Sequence, residues 1–216
     1  MWTRFHGWPE SAYAVLLQLE GEPTVETRER VRRDRERYVR RPMIDLLNDL
    51  ADVDHSYEDF SVWRYASTAY WWQNQCGIVR VAPSVEIAFR FNLDALQIKA
   101  TWWYPASEQI ASFRAAVAAE ESGRALEGLV SSLAADGYAI RGDVMKRIPR
   151  GYPADHPRAY LLKHRALAAA RDLDSDAVHD VEPVYRVCEQ LRPLLSWLAE
   201  NTVVAPEGAE AAAGPR

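Results

Sequence analysis

Val85-Glu86-Ile87-Ala88-Phe89-Arg90-Phe91 and, after a short gap, Leu96-Gln97-Ile98-Lys99-Ala100-Thr101-Trp102 decide how this chain is read. In the first segment Val85, Ile87, Phe89 and Phe91 alternate with Glu86, Ala88 and Arg90. In the second, Leu96, Ile98, Ala100 and Trp102 alternate with Gln97, Lys99 and Thr101. A period of two is the signature of a half-buried strand. Opposed residues in an antiparallel pair share a face. The two apolar sets therefore meet only if Phe91 faces Leu96, Phe89 faces Ile98 and Ile87 faces Ala100. That register leaves Asn92 to Ala95 as the hairpin loop. A one-residue slip would set Ile87 against Lys99. The earlier runs Phe60–Ala66 and Gly77–Ala82 are apolar on both faces and read as more central strands. The expectation is an antiparallel sheet of at least four strands over residues 59–104.

Helical periodicity surrounds this sheet. Pro9 suits a first helical turn, since its missing N–H would be unpaired there. Ala14, Leu16, Leu17 and Leu19 come next, and Gly21 with Pro23 closes the segment. Thr24 is a candidate cap for a second helix carrying Arg28, Arg30, Arg32, Arg33, Arg35, Arg37, Arg40 and Arg41. Glu26, Glu29, Asp34 and Glu36 are interleaved at three- and four-residue spacings, the pattern of a solvated, ion-paired face. Pro42 is expected to break or kink it, with a further helix from Met43. Beyond the sheet, Ser107 is a candidate cap for a helix with Ile110, Phe113 and Val117 inward and Gly123 as its stop. Leu126, Leu129, Val130 and Leu133 form the next stripe, ended by Gly137. Another helix is expected from Asp155 past Leu167. The last carries Val184, Val187, Cys188, Leu191, Leu195 and Leu198, kinked or divided by Pro193. Strands grouped between helical thirds indicate an α+β fold in one domain over residues 1–204. Residues 205–216 have nothing to bury and are expected to be disordered.

Composition narrows the function. At 216 residues, 48% hydrophobic and 26% charged, the chain has the make-up of an ordinary globular protein. A net charge of −5 argues against a nucleic-acid partner met by a wholly basic surface. Cys76 and Cys188 are far apart and form no Cys-x-x-Cys pair, which suits a reducing compartment. The apolar run Ala12–Leu17 is short and lies just after Glu10, unlike a secretion signal, and no stretch is long enough to span a bilayer. These features predict a cytoplasmic protein without a membrane partner. Gly-x-Gly-x-x-Gly, Walker, His-Glu-x-x-His and Gly-x-Ser-x-Gly patterns are missing. Asp172, Asp174, Asp176 and Glu182 approach a calcium loop, but Ala177 and Pro183 stand where glycine and glutamate are required. No metal and no cofactor are expected. The five histidines show no ligand spacing, and no serine or cysteine nucleophile is paired with a base.

Two stretches are unusual. Between Lys146 and Arg165, three prolines and a glycine stiffen a loop crowded by Lys146, Arg147, Arg150, Arg158, Lys163 and Arg165. A rigid, arginine-rich loop leading into a helix N-terminus is a candidate anion site. A structural role fits equally, with Asp155 capping, Tyr152 packing and the cations paired to acids elsewhere. The second stretch is Tyr70-Trp71-Trp72-Gln73-Asn74-Gln75, echoed by Trp102-Trp103-Tyr104-Pro105. Paired tryptophans on a strand place one ring on each face, so one can be buried while the other lines a groove for an aromatic ligand. Covering a sheet edge is the alternative.

The run Lys146-Arg147-Ile148-Pro149-Arg150-Gly151-Tyr152-Pro153-Ala154-Asp155-His156-Pro157, then Leu161-Leu162-Lys163, closely resembles the motif of the family called domain of unknown function 2461. Phe5-x-Gly7, Arg37-Tyr38, Pro42 and Phe113-Arg114 fall in the order that family shows. The resemblance spans residues 3–200 and implies a bacterial or fungal α+β domain with no assigned reaction, substrate or cofactor. Members commonly carry an Arg-Asp and an Arg-Phe pair after the position of Arg64, then Lys-x-Pro-Tyr-Lys. Here Tyr65-Ala-Ser-Thr-Ala-Tyr-Trp-Trp72 keeps none of that charge, which points to a more apolar ligand or a protein partner. The expected site is a cationic and aromatic pocket near the 146–165 loop for a small anionic or aromatic ligand. Arg64, Lys146, Arg147, Tyr152, His156, Trp72 and Trp103 are its candidate ligand-binding residues. His156 is the candidate acid or base if the protein is an enzyme, because histidine titrates near neutral pH. A protein-interaction module without catalysis is the alternative, and nucleic-acid binding through the arginine-rich helix a third reading.

Overall fold

The computed structural model describes residues 4–64 and 72–202. Six strands form one antiparallel sheet: β1 (Phe60–Val62), β2 (Gln75–Ala82), β3 (Val85–Phe91), β4 (Leu96–Trp102), β5 (Ala139–Arg141) and β6 (Leu167–Leu173). Their spatial order is β1-β2-β3-β4-β6-β5. The β3–β4 hairpin has the register the alternation demands, with Phe91 opposite Leu96, Phe89 opposite Ile98 and Ile87 opposite Ala100. Asn92 closes it, its side-chain oxygen accepting from the N–H groups of Asp94 and Ala95 at 3.0 and 3.1 Å.

Two expectations for the strands are corrected. β1 is an edge strand rather than a central one, and positions 65 and 66 of that run lie outside the described residues. The helix expected from Asp155 past Leu167 is not formed. Only Ala159–Leu162 is helical (α6), and the chain then runs into β6. Leu167-Ala168-Ala169-Ala170 is buried throughout, because β4 pairs with one side of it and β5 with the other. An unbroken apolar run has no period of its own, so its partners decide its conformation.

One face of the sheet is the core. Val85, Ile87, Phe89, Phe91, Leu96, Ile98, Ala100 and Trp102 are all buried on it, packed with α7 (Glu182–Asn201) and the N-terminal helices. Trp8 stacks on Phe91 with ring centroids 4.1 Å apart, and Trp102 stacks on Phe113 at 4.7 Å. The fold is α+β.

α1 spans Glu10–Gln18. α2 (Val25–Asp34) is capped by Thr24, whose hydroxyl accepts from the Thr27 N–H. Pro42 does not break the helical path. From α2 the chain passes through a π-helical segment, Arg35–Arg40, straight into α3 (Arg41–Val53), with Pro42 in its first turn. Proline cannot donate to the carbonyl one turn earlier, and the wider π turn absorbs that lost bond. Arg35, at the start of this segment, is buried and forks onto Trp72 O, Asn74 O and Gln75 Oε1, tying the helix to β2. Pro193 likewise sits inside a continuous α7.

After the sheet, α4 (Ser107–Ala118) starts one residue earlier than its serine suggested. Ala106 is the cap, and Gln109 Oε1 accepts from its N–H at 2.9 Å. Gly123 does not stop α4. α5 (Glu120–Ala135) begins directly after it, and Gly123 is buried within α5. Residues 205–216, and the tail expected there, lie outside the described residues.

Candidate functional site

The polar positions of the alternation all point to the sheet's other face. Cross-strand pairing sets them in rows, because paired residues share a face. Glu86 pairs with Thr101, and Thr101 with Ala168. Ala88 pairs with Lys99, and Lys99 with Ala170. Arg90 pairs with Gln97, and Gln97 with Asp172. Lys99 thus rises from an inner strand with an alanine on each side. A cavity of about 500 Å³ opens above this floor. Glu86, Arg90, Lys99 and Thr101 line it, and Trp63, Trp103 and Tyr104 form its aromatic rim.

Backbone strain collects at the same rim. Ser84 and Tyr104 have φ of 64° and 51°, the only non-glycine residues with positive φ among those described, and both line the cavity. The Trp103 N–H bonds to the Ser84 carbonyl at 2.9 Å, which ties Ser84 to the residue before Tyr104. Such conformations cost of order 1–3 kcal/mol and cluster at ligand sites. The result is that Trp103 stays 40% exposed while Trp102 beside it is fully buried. Tyr104, 87% exposed, meets Trp103 edge-on at 5.6 Å.

The electrostatics of the floor are unbalanced. Burial, and then the neighbouring Arg90, lower the pKa of the Lys99 amine; Glu86 opposes this and Arg141 adds to it. Burial raises the Glu86 carboxyl, partly offset by Lys99 and Arg80. Arg80 is itself engaged by Asp59 and Ser61. Thr101 is 2% exposed, and its hydroxyl has no hydrogen-bond partner among the described residues. The buried Arg90 Nε is in the same position.

Lys99 therefore carries a stability prediction. Its folded pKa lies below its unfolded value of 10.5, so the unfolded chain binds more protons between the two. Stability should rise with pH through that window. Lys99→Met is expected to raise the melting temperature at pH 7, and the gain should shrink as pH approaches 10. Thermal unfolding of both proteins at the two pH values checks this, and an equal gain at both would contradict it.

Of the seven ligand-binding candidates from the sequence, Trp103 lines this cavity. Trp72 sits in a helical turn rather than a strand, packed against the core with Arg28 4.1 Å above its ring, and Trp71 lies outside the described residues. Arg64 lines a separate groove beside Arg32, Arg33, Glu36 and Arg40. Arg40 there is engaged by Glu36 and the carbonyls of Val62 and Trp63. Lys146 and Arg147 are exposed, without hydrogen-bond partners among the described residues. Tyr152 is half-buried against the core. His156 Nδ1 accepts from the Arg158 N–H at 3.1 Å, and Asp155 is exposed and begins no helix. The buried cation of this loop is Arg158, which caps the end of α4. Its Nε donates to Val117 O at 2.8 Å and its Nη2 to the carbonyls of Ala118 and Ala119, each at 3.3 Å.

Sequence reasoning missed Glu86, Arg90, Lys99 and Thr101. The available signal was their shared face in the hairpin, together with the rarity of lysine: Lys99, Lys146 and Lys163 are the only lysines among 26 basic residues. Among the described residues, no group of three or more His, Cys, Asp or Glu side chains is placed to hold a metal ion. No helix among them is long and apolar enough to cross a membrane.

The model of one protein family, described as conserved hypothetical protein (DUF2461), matches residues 64–197. That match contains the sheet from β2 onward, the cavity floor and the Arg158 loop, while residues 3–63 of the expected span lie outside it. No curated protein and no solved structure matches the chain. With most of its length matched, the chain belongs to the family of conserved hypothetical proteins DUF2461.

Proposed function

We propose that the cavity on the open face of the sheet binds a small molecule with an anionic group and a flat apolar part. The observation that carries this reading is the pair of unpartnered donors, Thr101 Oγ1 and Arg90 Nε, in a cavity that also holds Lys99. A buried polar group left unpaired costs about 1–3 kcal/mol, and native proteins rarely tolerate it without a reason. A ligand with a carboxylate or phosphate over Arg90 and a separate acceptor over Thr101, which the register sets four residues further along the sheet, would satisfy the donors and balance the cations, which Glu86 alone does not. Trp103 and Tyr104 supply the apolar wall, since aromatic rims combine large contact area with little loss of freedom. The buried cysteines Cys76 and Cys188, neither of them in a disulfide, suit a cytoplasmic setting for this binding protein.

Thr101→Val is the direct test, because it removes the hydroxyl and keeps the shape. The unliganded variant is expected to be more stable by about 1 kcal/mol, since the unpaired group is gone. In a thermal-shift panel of aromatic carboxylates, wild-type protein at a hundredfold excess over Kd should gain about 2.7 kcal/mol. The variant should gain measurably less. A ligand response of equal size in both proteins would remove the cavity from consideration.

A further inference from the structure

We propose that Lys99 is a carbonyl-condensing amine and that the cavity takes 2-oxo carboxylates, held as an imine on Lys99. This rests on the cavity being an anion site and adds a covalent step to it.

The first argument is residue choice. The chain meets its need for positive charge with arginine almost everywhere, and one of its three lysines stands at the centre of the cavity floor. Arginine serves a permanent charge better, with five donors in a rigid fork. What arginine cannot do is give up its proton at neutral pH; a buried lysine can.

The second argument is placement. Lys99 is flanked in the sheet by Ala88 and Ala170, the smallest side chains with a Cβ. The amine therefore stands over a low floor, with space for a reacting carbon beside it. Glu86 and Arg90 occupy the two diagonal cross-strand positions, each roughly 7–8 Å from Lys99 and within reach of long side chains. Burial and the cations Arg90 and Arg141 both favour the neutral amine. Each unit of lowering makes the reactive fraction about tenfold larger.

The chemistry assigns each of these groups a role. The Arg90 guanidinium, diagonal to Lys99 across the strands, holds the carboxylate and so presents the adjacent ketone to Lys99. The amine lone pair attacks the ketone carbon, and the C–O π electrons pass to oxygen. The nitrogen gives up two protons, relayed by Glu86, and they leave with that oxygen as water. The C–O bond breaks as C=N forms. One imine and one water result, and nothing is oxidised or reduced. The half-buried Glu86, its carboxyl raised by burial, is suited to holding a proton during that relay.

The test uses the full chain with sodium phenylpyruvate and cyanoborohydride, read by peptide mass mapping, alongside thermal shifts with phenylpyruvate and with phenyllactate. Phenyllactate keeps the carboxylate and ring but has no ketone. The expected result is a reduced adduct at Lys99 forming at least about tenfold faster than at Lys146 or Lys163. It should be suppressed by excess phenyllactate and absent in Lys99→Arg. Thermal shifts with both acids but no adduct, or equal labelling of all three lysines, would overturn the imine and leave the anion site standing. No shift with either acid and no adduct would overturn the inference and count against the anion site as well. An adduct at Lys99 that phenyllactate leaves untouched would overturn the role of the cavity in the reaction.

Discussion

Gly123→Ala is expected to lower stability by about 3 kcal/mol, while Gly128→Ala in the same helix should raise it by about 0.5–1 kcal/mol. A Cβ at Gly123 would lie 2.1 Å from Val117 O and 2.5 Å from Arg158 Nε. Neither atom can yield cheaply. Val117 O belongs to the last turn of α4, and α5 begins at Glu120, so no loop exists to absorb a shift. Arg158 is held by four hydrogen bonds, three of them to the carbonyls of that same junction. Relief therefore requires the two helices to part, which lies at the upper end of overpacking costs. At Gly128 a Cβ meets nothing within 4 Å, and only the helix-propensity gain remains. Urea unfolding of the two variants beside wild type separates these cases. If Gly123→Ala proves as harmless as Gly128→Ala, the α4–α5 junction is not the close contact described.

The second large effect is expected at Arg158. Arg158→Leu should cost about 2–4 kcal/mol, because it strands the carbonyls that end α4 and leaves a buried helix terminus without donors. The guanidinium also meets the negative end of the α4 dipole, where a cation is favourable. Arg158→Lys should recover little, since an ammonium is a point charge and cannot span carbonyls of three successive residues. Arg147→Ala is the control from the same loop. It is exposed, without a hydrogen-bond partner among the described residues, and should change stability by no more than about 0.5 kcal/mol. Equal denaturation midpoints for Arg158→Leu and Arg147→Ala would refute the capping role. Because Gly123 and Arg158 touch, their substitutions should combine non-additively in a double-mutant cycle.

These two positions also show where the sequence stops being readable. The β3–β4 register was legible because alternation leaves a single pairing that buries both apolar sets. β6 was not, since Leu167-Ala-Ala-Ala170 has no period and alanine favours helix on its own. Only β4 and β5, distant in sequence, make it a strand. Gly123 looked like a helix stop because glycine's backbone freedom is visible in a sequence, whereas a guanidinium pressed against its Cα is not. Arg158 looked like one more cation in a basic loop, and nothing local separates it from Arg147. The site divides in the same way. Parity put the Trp102 and Trp103 rings on opposite faces, so that one could be buried while the other lined a groove or covered a sheet edge. That the outward face beneath Trp103 is a cavity depends on Trp63, which follows β1, and Tyr104, which follows β4, both lining it. Lys99, Glu86 and Arg90 therefore read as ordinary solvent-facing positions of a half-buried hairpin.

The order of the strands has a consequence for solubility. The sheet's outermost strands, β1 and β5, are three residues each, too short to template the backbone of a neighbouring chain. The uncharged stretch Leu167-Ala-Ala-Ala170 of β6 is sealed between β4 and β5. Where β5 ends and the margin of β6 is uncovered, the strand carries Arg171 and Asp172, whose charges oppose stacking against an identical copy. The protein can therefore keep an open, aromatic-rimmed face without offering a backbone edge on which filaments could grow.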